Sequence, residues 1–215
     1  MKDAYRHLAR VYDRFVEPAN GGVRAYFFKR FPAKRGERVL EIGCGTGSNL
    51  SFYRKAGSQA FGLDLSAAML SQAKEKFGNK TVLVRGDATE IPFADESFDT
   101  VLAMLTLHEM PSVIRTRVVD EMIRVSKENG RLLFTDYHPG PLRIPWGWLY
   151  KAVILFYEIS AGREHFRNYR HFLKNGGLLS LLKGKSIRIE RQKIIVKGNM
   201  ILLSLRKTNG AELAE

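Results

Sequence analysis

A short apolar run ending in three alternating glycines, Val39 to Asn49 (V-L-E-I-G-C-G-T-G-S-N), constrains this chain more than any other stretch. Val39, Leu40 and Ile42 read as a strand buried on both faces. Gly43, Gly45 and Gly47 then allow a sharp turn that a ligand can approach closely, and Thr46 or Ser48 is placed to cap the helix expected next. A strand, a glycine turn and a helix N-terminus make a nucleotide-binding corner. The spacing excludes two versions of it. A dinucleotide fingerprint needs G-x-G-x-x-G, and Ser48 stands where its last glycine belongs; G-K-[ST] is missing, so the turn is not a P-loop. Glu41, two residues before the first glycine, would repel a pyrophosphate and suits a cationic amino-acid moiety.

The pattern E-x-G-x-G-x-G from Glu41 to Gly47 resembles the first motif of the class I methyltransferases that use S-adenosylmethionine. The resemblance implies an α/β fold, a Rossmann-like doubly wound sheet of seven mainly parallel strands with an antiparallel closing strand and a helical cap. It also implies S-adenosyl-L-methionine as cofactor, bound through Glu41, Gly43, Gly45 and Gly47. The next strand, Gln59 to Leu63, is ended by Asp64, nineteen residues after Gly45. An acid at that place accepts hydrogen bonds from ribose hydroxyls, or else caps the following helix together with Ser66. The run G-L-D-L-S-x-x-M, Gly62 to Met69, resembles the second methyltransferase motif, which implies that Leu65 and Met69 flank the adenosine. A third strand, Thr81 to Arg85, leads into Gly86, Asp87 and Ala88. By the same resemblance Asp87 accepts a hydrogen bond from the adenine amine, with the Ala88 backbone beside it. Ile91 to Ala103, I-P-F-A-D-E-S-F-D-T-V-L-A, is similar to the fourth-strand region of quinone C-methyltransferases.

The fourth strand runs out into Met104 to Pro111. Ligands bind outside the carboxyl ends of such strands, so Leu105 is assigned to the cofactor site, and Thr106, Leu107 and His108 face the cofactor sulfur or the substrate. His108 has the side chain suited to proton transfer near neutrality, which makes it the candidate catalytic base; the alternative is a histidine that shapes the loop. Quinone enzymes of this group often carry two successive histidines here, whereas His108 is followed by Glu109. A helix from Val113 to Val125, stopped by Asn129 and Gly130, precedes a fifth strand, Arg131 to Thr135. Asp136, Tyr137 and His138 follow it, His138 as a second polar group at the substrate end or as a turn residue before Pro139.

Composition adds the bounds. The 215 residues carry a net charge of +13 and one cysteine, Cys44, which excludes a disulfide framework and any cysteine-based zinc site. The charge is uneven: +6 over residues 1–35, −2 over 36–137 and +9 over 138–215. A near-neutral core between basic flanks points to anionic partners or to a well-solvated surface. At the N-terminus, Tyr5, Leu8, Ala9, Tyr12, Phe15 and Val16 form a helical stripe. The A-R-V-Y-D of Ala9 to Asp13 is similar to the entry helix of quinone and small-molecule methyltransferases, where the tyrosine, here Tyr12, lies near the cofactor. Pro18 to Gly22 should break the chain before a second helix, Val23 to Phe31.

The stretch Ile144 to Tyr157, I-P-W-G-W-L-Y-K-A-V-I-L-F-Y, is apolar, interrupted by Lys151 and too short to span a bilayer. Flanked by arginines, it reads as a helix in a headgroup region, as a lid over a greasy substrate, or as a hairpin packed on the sheet. Tyr150, Arg167 and Tyr169, with Thr106 and His138, are the candidate substrate contacts. Arg188 to Val196 and Asn199 to Leu205 should close the sheet as an antiparallel pair.

The expected organisation is one methyltransferase domain: lid helices over 1–35, cofactor core over 36–137, helical cap over 138–184 and closing strands over 185–208. The expected activity is methyl transfer to a lipid-like or amphipathic small molecule, a phospholipid amine or a quinone-type acceptor, in the cytoplasm or at an anionic inner membrane face. No metal is called for. An RNA or protein methyltransferase, or a non-catalytic cofactor-binding or membrane module, are the alternatives; no N-P-P-[YF] motif follows the fourth strand, and nucleic acid is set aside as a partner.

Overall fold

The structure is a computed structural model that describes residues 9–15, 17–32 and 34–208. Five strands run parallel: β1 (Arg38–Ile42), β2 (Gln59–Asp64), β3 (Val82–Arg85), β4 (Phe98–Met104) and β5 (Ser126–Tyr137). The edge strand β6 (Ile187–Ile195) and β7 (Met200–Lys207) complete a seven-stranded sheet in the order β3-β2-β1-β4-β5-β7-β6, with β7 antiparallel to both neighbours. The order reverses between β1 and β4, so a crevice opens at their carboxyl ends, where open α/β sheets bind ligands.

Strand side chains alternate between the two faces. Leu40 and Ile42 join one core cluster, with Val118, Val119 and Met122 of α5 (Ser112–Val125) and Leu178 and Leu182 of α8 (Gly177–Leu182). Val39 joins the other, with Phe27 of α2 (Glu17–Arg30), Leu50 and Tyr53 of α3 (Ser48–Lys55) and Ala73 of α4 (Ala67–Phe77). Glu41 shares the pleat face of Val39, so the alternation that builds the core also turns its carboxyl toward α3.

Three local expectations are corrected. Pro18 to Gly22 does not break the chain: α2 begins at Glu17 and runs through these residues, because a proline in the first turn gives up an N–H that has no helical partner anyway. Neither Thr46 nor Ser48 caps α3; the N-cap is Gly47 at φ 79°, and Ser48 is already helical. Asn129 and Gly130 are not the stop of α5, which ends at Val125; they lie inside β5, where Asn129 has φ 61° and the register against β4 shifts. Of the N-terminal stripe, Tyr5, Leu8 and Val16 lie outside the described residues, while Ala9 is buried in α1 (Ala9–Phe15).

Beyond β5, α6 (Trp146–Ser160) and α7 (Arg163–Lys174) form the cap. The orientation of α6 is unusual. Trp146, Trp148, Leu149, Tyr150, Val153, Phe156 and Ile159 are exposed, whereas Gly147, Ile154 and Glu158 are buried. The two charged residues of this apolar helix, Lys151 and Glu158, are two turns apart and share the inward face. No helix among the described residues is long and apolar enough to cross a membrane.

Candidate functional site

The glycine turn is built as the alternating spacing requires. Gly43 (φ 65°), Gly45 (φ 52°) and Gly47 (φ 79°) all occupy the left-handed region. A Cβ on Gly43 would run into the Thr106 hydroxyl, which ties this turn to the end of β4; a Cβ on Gly45 would meet nothing within 4 Å, leaving open approach from the crevice. Asp64 fastens the turn from β2. Its Oδ2 accepts from the Gly45 N–H at 2.8 Å and its Oδ1 from the Ser66 N–H at 2.8 Å. Ser66, not Asp64, caps α4, its Oγ accepting from the Met69 N–H at 3.1 Å.

Beside the turn, Glu41 is 1% exposed. Asn49, at the start of α3, donates its Nδ2–H to Glu41 Oε1 and accepts from Arg24 Nε of α2. Arg24 in turn pairs with Glu17. Glu41 Oε2 is buried and accepts no hydrogen bond from any described residue. Burial pushes the carboxyl up to about 8, a rise that the Asn49 hydrogen bond and the charge of Arg24 only partly offset. An unpaired buried oxygen of an acid is costly, and a ligand ammonium supplies what it lacks.

Helix α1 closes over this corner. Asp13 accepts from Thr46 Oγ1 at 2.5 Å and pairs with Lys76 of α4, whose ammonium also reaches the Thr46 carbonyl at 3.0 Å. Tyr12 is beside it; burial first, then Glu109 and Glu17, raise its hydroxyl pKa. Along the rim beyond β2 and β3, Leu65 is 48% exposed and Met69 is buried. Asp87 is exposed, with Oδ1 accepting from the N–H and the hydroxyl of Thr89 at 2.9 and 2.8 Å, and Ala88 packs against the core. Leu105 follows β4 at φ 52°, its N–H bonded to the Thr135 carbonyl at 2.8 Å.

The other end of the crevice is centred on His108, which is 2% exposed. Its Nδ1 lies 2.7 Å from Asp136 Oδ1, and its Nε2 faces Glu158 at 3.6 Å and Glu109 at 3.9 Å. Asp136 is fixed by three backbone donors: Leu107 N–H at 3.1 Å, His108 N–H at 3.2 Å and Tyr137 N–H at 2.8 Å. Glu158 also meets His165 Nε2 at 2.9 Å. Burial alone would lower the His108 pKa, but Asp136 and Glu158 hold it well above its ordinary value. Burial alone would raise Glu158, yet the facing imidazoles of His108 and His165 keep it at about 2. Both ring nitrogens of His108 thus face carboxylates.

Arg115 of α5 binds the loop to the cap. It donates to the carbonyls of Leu107 (2.9 Å), His108 (3.0 Å) and Asn168 (2.7 Å), while Asn168 Nδ2–H reaches the Glu109 carbonyl at 2.8 Å. Among the candidate substrate contacts, Tyr169 comes to this cluster. It is buried, its hydroxyl takes a hydrogen bond from Lys151 at 2.6 Å, and its ring stands edge-on to Tyr137 and His108. Thr106 lies over the glycine turn. Tyr150 and Arg167 are not brought in: both are exposed, and Arg167 pairs with Glu164 at 3.7 Å. His138 serves its loop, Nδ1 accepting from the Gly140 N–H at 3.1 Å.

Sequence reasoning missed Asn49, Arg24, Asp13, Glu158 and His165. Glu158 carried a signal, as the lone acid in the most apolar helix; the others carried none before folding.

Residues 40–134 match a family model described as a methyltransferase domain. Malonyl-[acyl-carrier protein] O-methyltransferase of Pectobacterium atrosepticum is 34% identical over 140 residues, covering 65% of this chain and 53% of that protein. Phosphatidylethanolamine N-methyltransferase of Cereibacter sphaeroides is 40% identical over 116 residues, covering 50% of this chain and 56% of that protein. The chain thus spans little more than half the length of these relatives. A crystal structure of a SAM-dependent methyltransferase from Aquifex aeolicus superposes with a TM-score of 0.65 at 18% identity, over 93% of this chain and 98% of that one.

Proposed function

We propose that this chain, whose residues 40–134 match a methyltransferase-domain model, is a class I S-adenosylmethionine-dependent methyltransferase that transfers a methyl group to a lipid-like or amphipathic small molecule, such as a phospholipid amine or a quinone-type acceptor. The observation that carries the choice of acceptor is the outward apolar face of α6. Trp146, Trp148, Leu149, Val153 and Phe156 stand exposed beside the end of the crevice. Tryptophans and a tyrosine on a helix flanked in sequence by Arg143, Arg163, Arg167 and Arg170 suit the headgroup region of an anionic bilayer. A relative named for phosphatidylethanolamine points the same way.

The corner suits S-adenosylmethionine on the chemistry of its donors: the open space above Gly45 admits a ligand to the backbone, and the unpaired Glu41 Oε2 calls for a cation. When bound, this cofactor supplies an activated methyl group on a sulfonium. The chain's own contribution is then orientation and exclusion of water. Glu41 and the glycine turn hold the amino-acid end, Asp64 holds the turn and offers remaining acceptor capacity to ribose hydroxyls, and Leu65, Met69, Asp87, Ala88 and Leu105 line the adenosine side. Tyr12 and Asp13 close the corner from above. His108, the candidate base, and Tyr169, with Thr106, border the acceptor end, where both His108 ring nitrogens face carboxylates.

The test is a mass-spectrometric screen. The chain is incubated with S-adenosylmethionine and separated lipid, metabolite, RNA and protein fractions, and each is searched for a gain of one methyl group. Methylation confined to the lipid fraction is the expected result; methylation of RNA or protein alone would overturn the acceptor class. Sedimentation with vesicles containing anionic phospholipid checks the face of α6, which should lose most of its binding in Trp148→Ser/Phe156→Ser. Indifference of the parent chain to such vesicles removes the membrane reading.

A further inference from the structure

We infer that His108, Glu158 and His165 form a binding site for one divalent transition-metal ion, at the place where the cap meets the ends of β4 and β5. The three come from separate elements: the loop after β4, the inward face of α6 and the first turn of α7. One ligand atom from each lies within 4.8 Å of the other two. Glu158 stands between the imidazoles, its Oε1 3.6 Å from His108 Nε2 and its Oε2 2.9 Å from His165 Nε2. Around a tetrahedral ion with bonds of about 2.1 Å, neighbouring ligand atoms are separated by about 3.4 Å. The two imidazole–carboxylate separations lie on either side of that value, and the imidazole nitrogens are within 4.8 Å of each other.

The surroundings match what such ions require beyond their ligands. A metal-bound histidine usually gives its other ring nitrogen to a carboxylate. His108 Nδ1 does this with Asp136 at 2.7 Å, and three backbone N–H groups hold that carboxylate in place. This fixes Nε2 as the nitrogen that faces Glu158. Glu109, 3.9 Å from the same nitrogen and 28% exposed, provides a fourth ligand or leaves the fourth position to solvent. Tyr137 and Tyr169 pack against the His108 ring and shelter the cluster. Two imidazoles and one carboxylate select zinc, iron, cobalt or nickel over magnesium and calcium, which prefer oxygen donors. A divalent ion here also offsets the two buried carboxylates, Asp136 and Glu158. The remaining histidines with described surroundings are committed elsewhere: His138 to its loop and His171 to Arg115 and Asn175.

The rival account is a network of ion pairs closed by protons alone. The two are separated by metal binding itself, read without cofactor or acceptor, so the outcome is independent of methyl transfer. The chain, stripped with a chelator, is titrated with cobalt(II) chloride. One equivalent should bind with visible d–d bands, and zinc(II) should displace it. His165→Gln and Glu158→Gln should each lose stoichiometric binding, and Asp136→Asn should weaken it about 10- to 100-fold. His171→Gln, a control outside the cluster, should retain it. Circular dichroism of each metal-free variant checks that it is folded, and His165→Gln, on the more exposed histidine, stands in if Glu158→Gln is not. No stoichiometric cobalt or zinc uptake by the parent chain, or undiminished uptake by a folded His165→Gln, overturns the site.

Discussion

Glu41 and Glu158 are the same side chain at nearly the same burial, 1% and 4% exposed, yet the fold drives them in opposite directions. Around Glu41 burial prevails. Its direct partner is the neutral amide of Asn49, the Arg24 charge is shared with Glu17, and the carboxyl is pushed up to about 8. Around Glu158 the same burial is outweighed by two imidazoles, which hold the carboxyl at about 2. A buried acid without a facing cation is open to a partner from outside; one faced by two imidazoles is already oriented by the chain itself. The crevice thus has a receptive end at the glycine turn and a prearranged end under the cap.

The comparison breaks most readily under neutralising substitutions. Glu158→Gln leaves His108 and His165 with a weaker acceptor in a buried setting, and loss of one member of a buried ionic set costs about 3–5 kcal/mol. Urea denaturation should show that fall in unfolding free energy. Glu41→Gln should do the reverse: removing an acid that burial disfavours leaves stability unchanged or raised. The loss appears in binding instead, where one charge-assisted hydrogen bond to the cofactor's ammonium is worth about 2.7 kcal/mol, close to a hundredfold in Kd for S-adenosylmethionine. Calorimetry checks the second figure, and equal destabilisation by the two variants would end the distinction.

The next effect is smaller and concerns pH. The folded chain keeps the Glu41 proton up to about 8, whereas the ordinary value is 4.5. Between these values the native state binds the extra proton, so its contribution is complete below 4.5 and is lost as pH rises through 8. The slope is at most about 1.4 kcal/mol per pH unit. Unfolding measured across this window should show the parent losing stability relative to Glu41→Gln. S-adenosylmethionine, by bringing an ammonium to Oε2, should drive the proton off. Calorimetry at neutral pH in buffers of different ionisation enthalpy should then register proton release on binding, absent in Glu41→Gln.

The two ends differed just as much in how far they could be read beforehand. Glu41, Gly43, Asp64 and Asp87 lie at or just beyond the ends of their strands at spacings the sequence displays directly, because a strand, its turn and the next helix are neighbours in the chain. The parallel sheet and its antiparallel closure were legible for the same reason. The prearranged end was not. His108, Asp136, Glu158 and His165 are far apart in sequence and meet once α6 and α7 have folded over the strand ends, so no local pattern joins them. The apolar composition of α6 was visible, but its inward face was not, since period alone does not say which arc of an all-round apolar helix is buried; Lys151 and Glu158 mark it. Asn49 and Arg24 carried no signal, as either reads as an ordinary helix-surface residue until Glu41 is placed beside them. Glu17 to Arg30 was broken too early because Pro18 and two glycines were read without regard to their place in the first turns.

The smallest effect tests whether the receptive end is closed by α1. Asp13 bonds the Thr46 hydroxyl and pairs with Lys76, with side chains 39% and 33% exposed in the ion pair. Exposed pairs of this kind are worth about 0–1 kcal/mol, so Asp13→Ala should scarcely change unfolding. Its consequence should fall on kinetics: without the latch between α1, the glycine turn and α4, bound S-adenosylmethionine loses its cover and dissociates several-fold faster, while association is little altered. Stopped-flow displacement separates the two rates. A changed association rate with unchanged release would mean that α1 guides entry and does not retain the ligand, and the receptive end would then owe its hold to Glu41 and the turn alone.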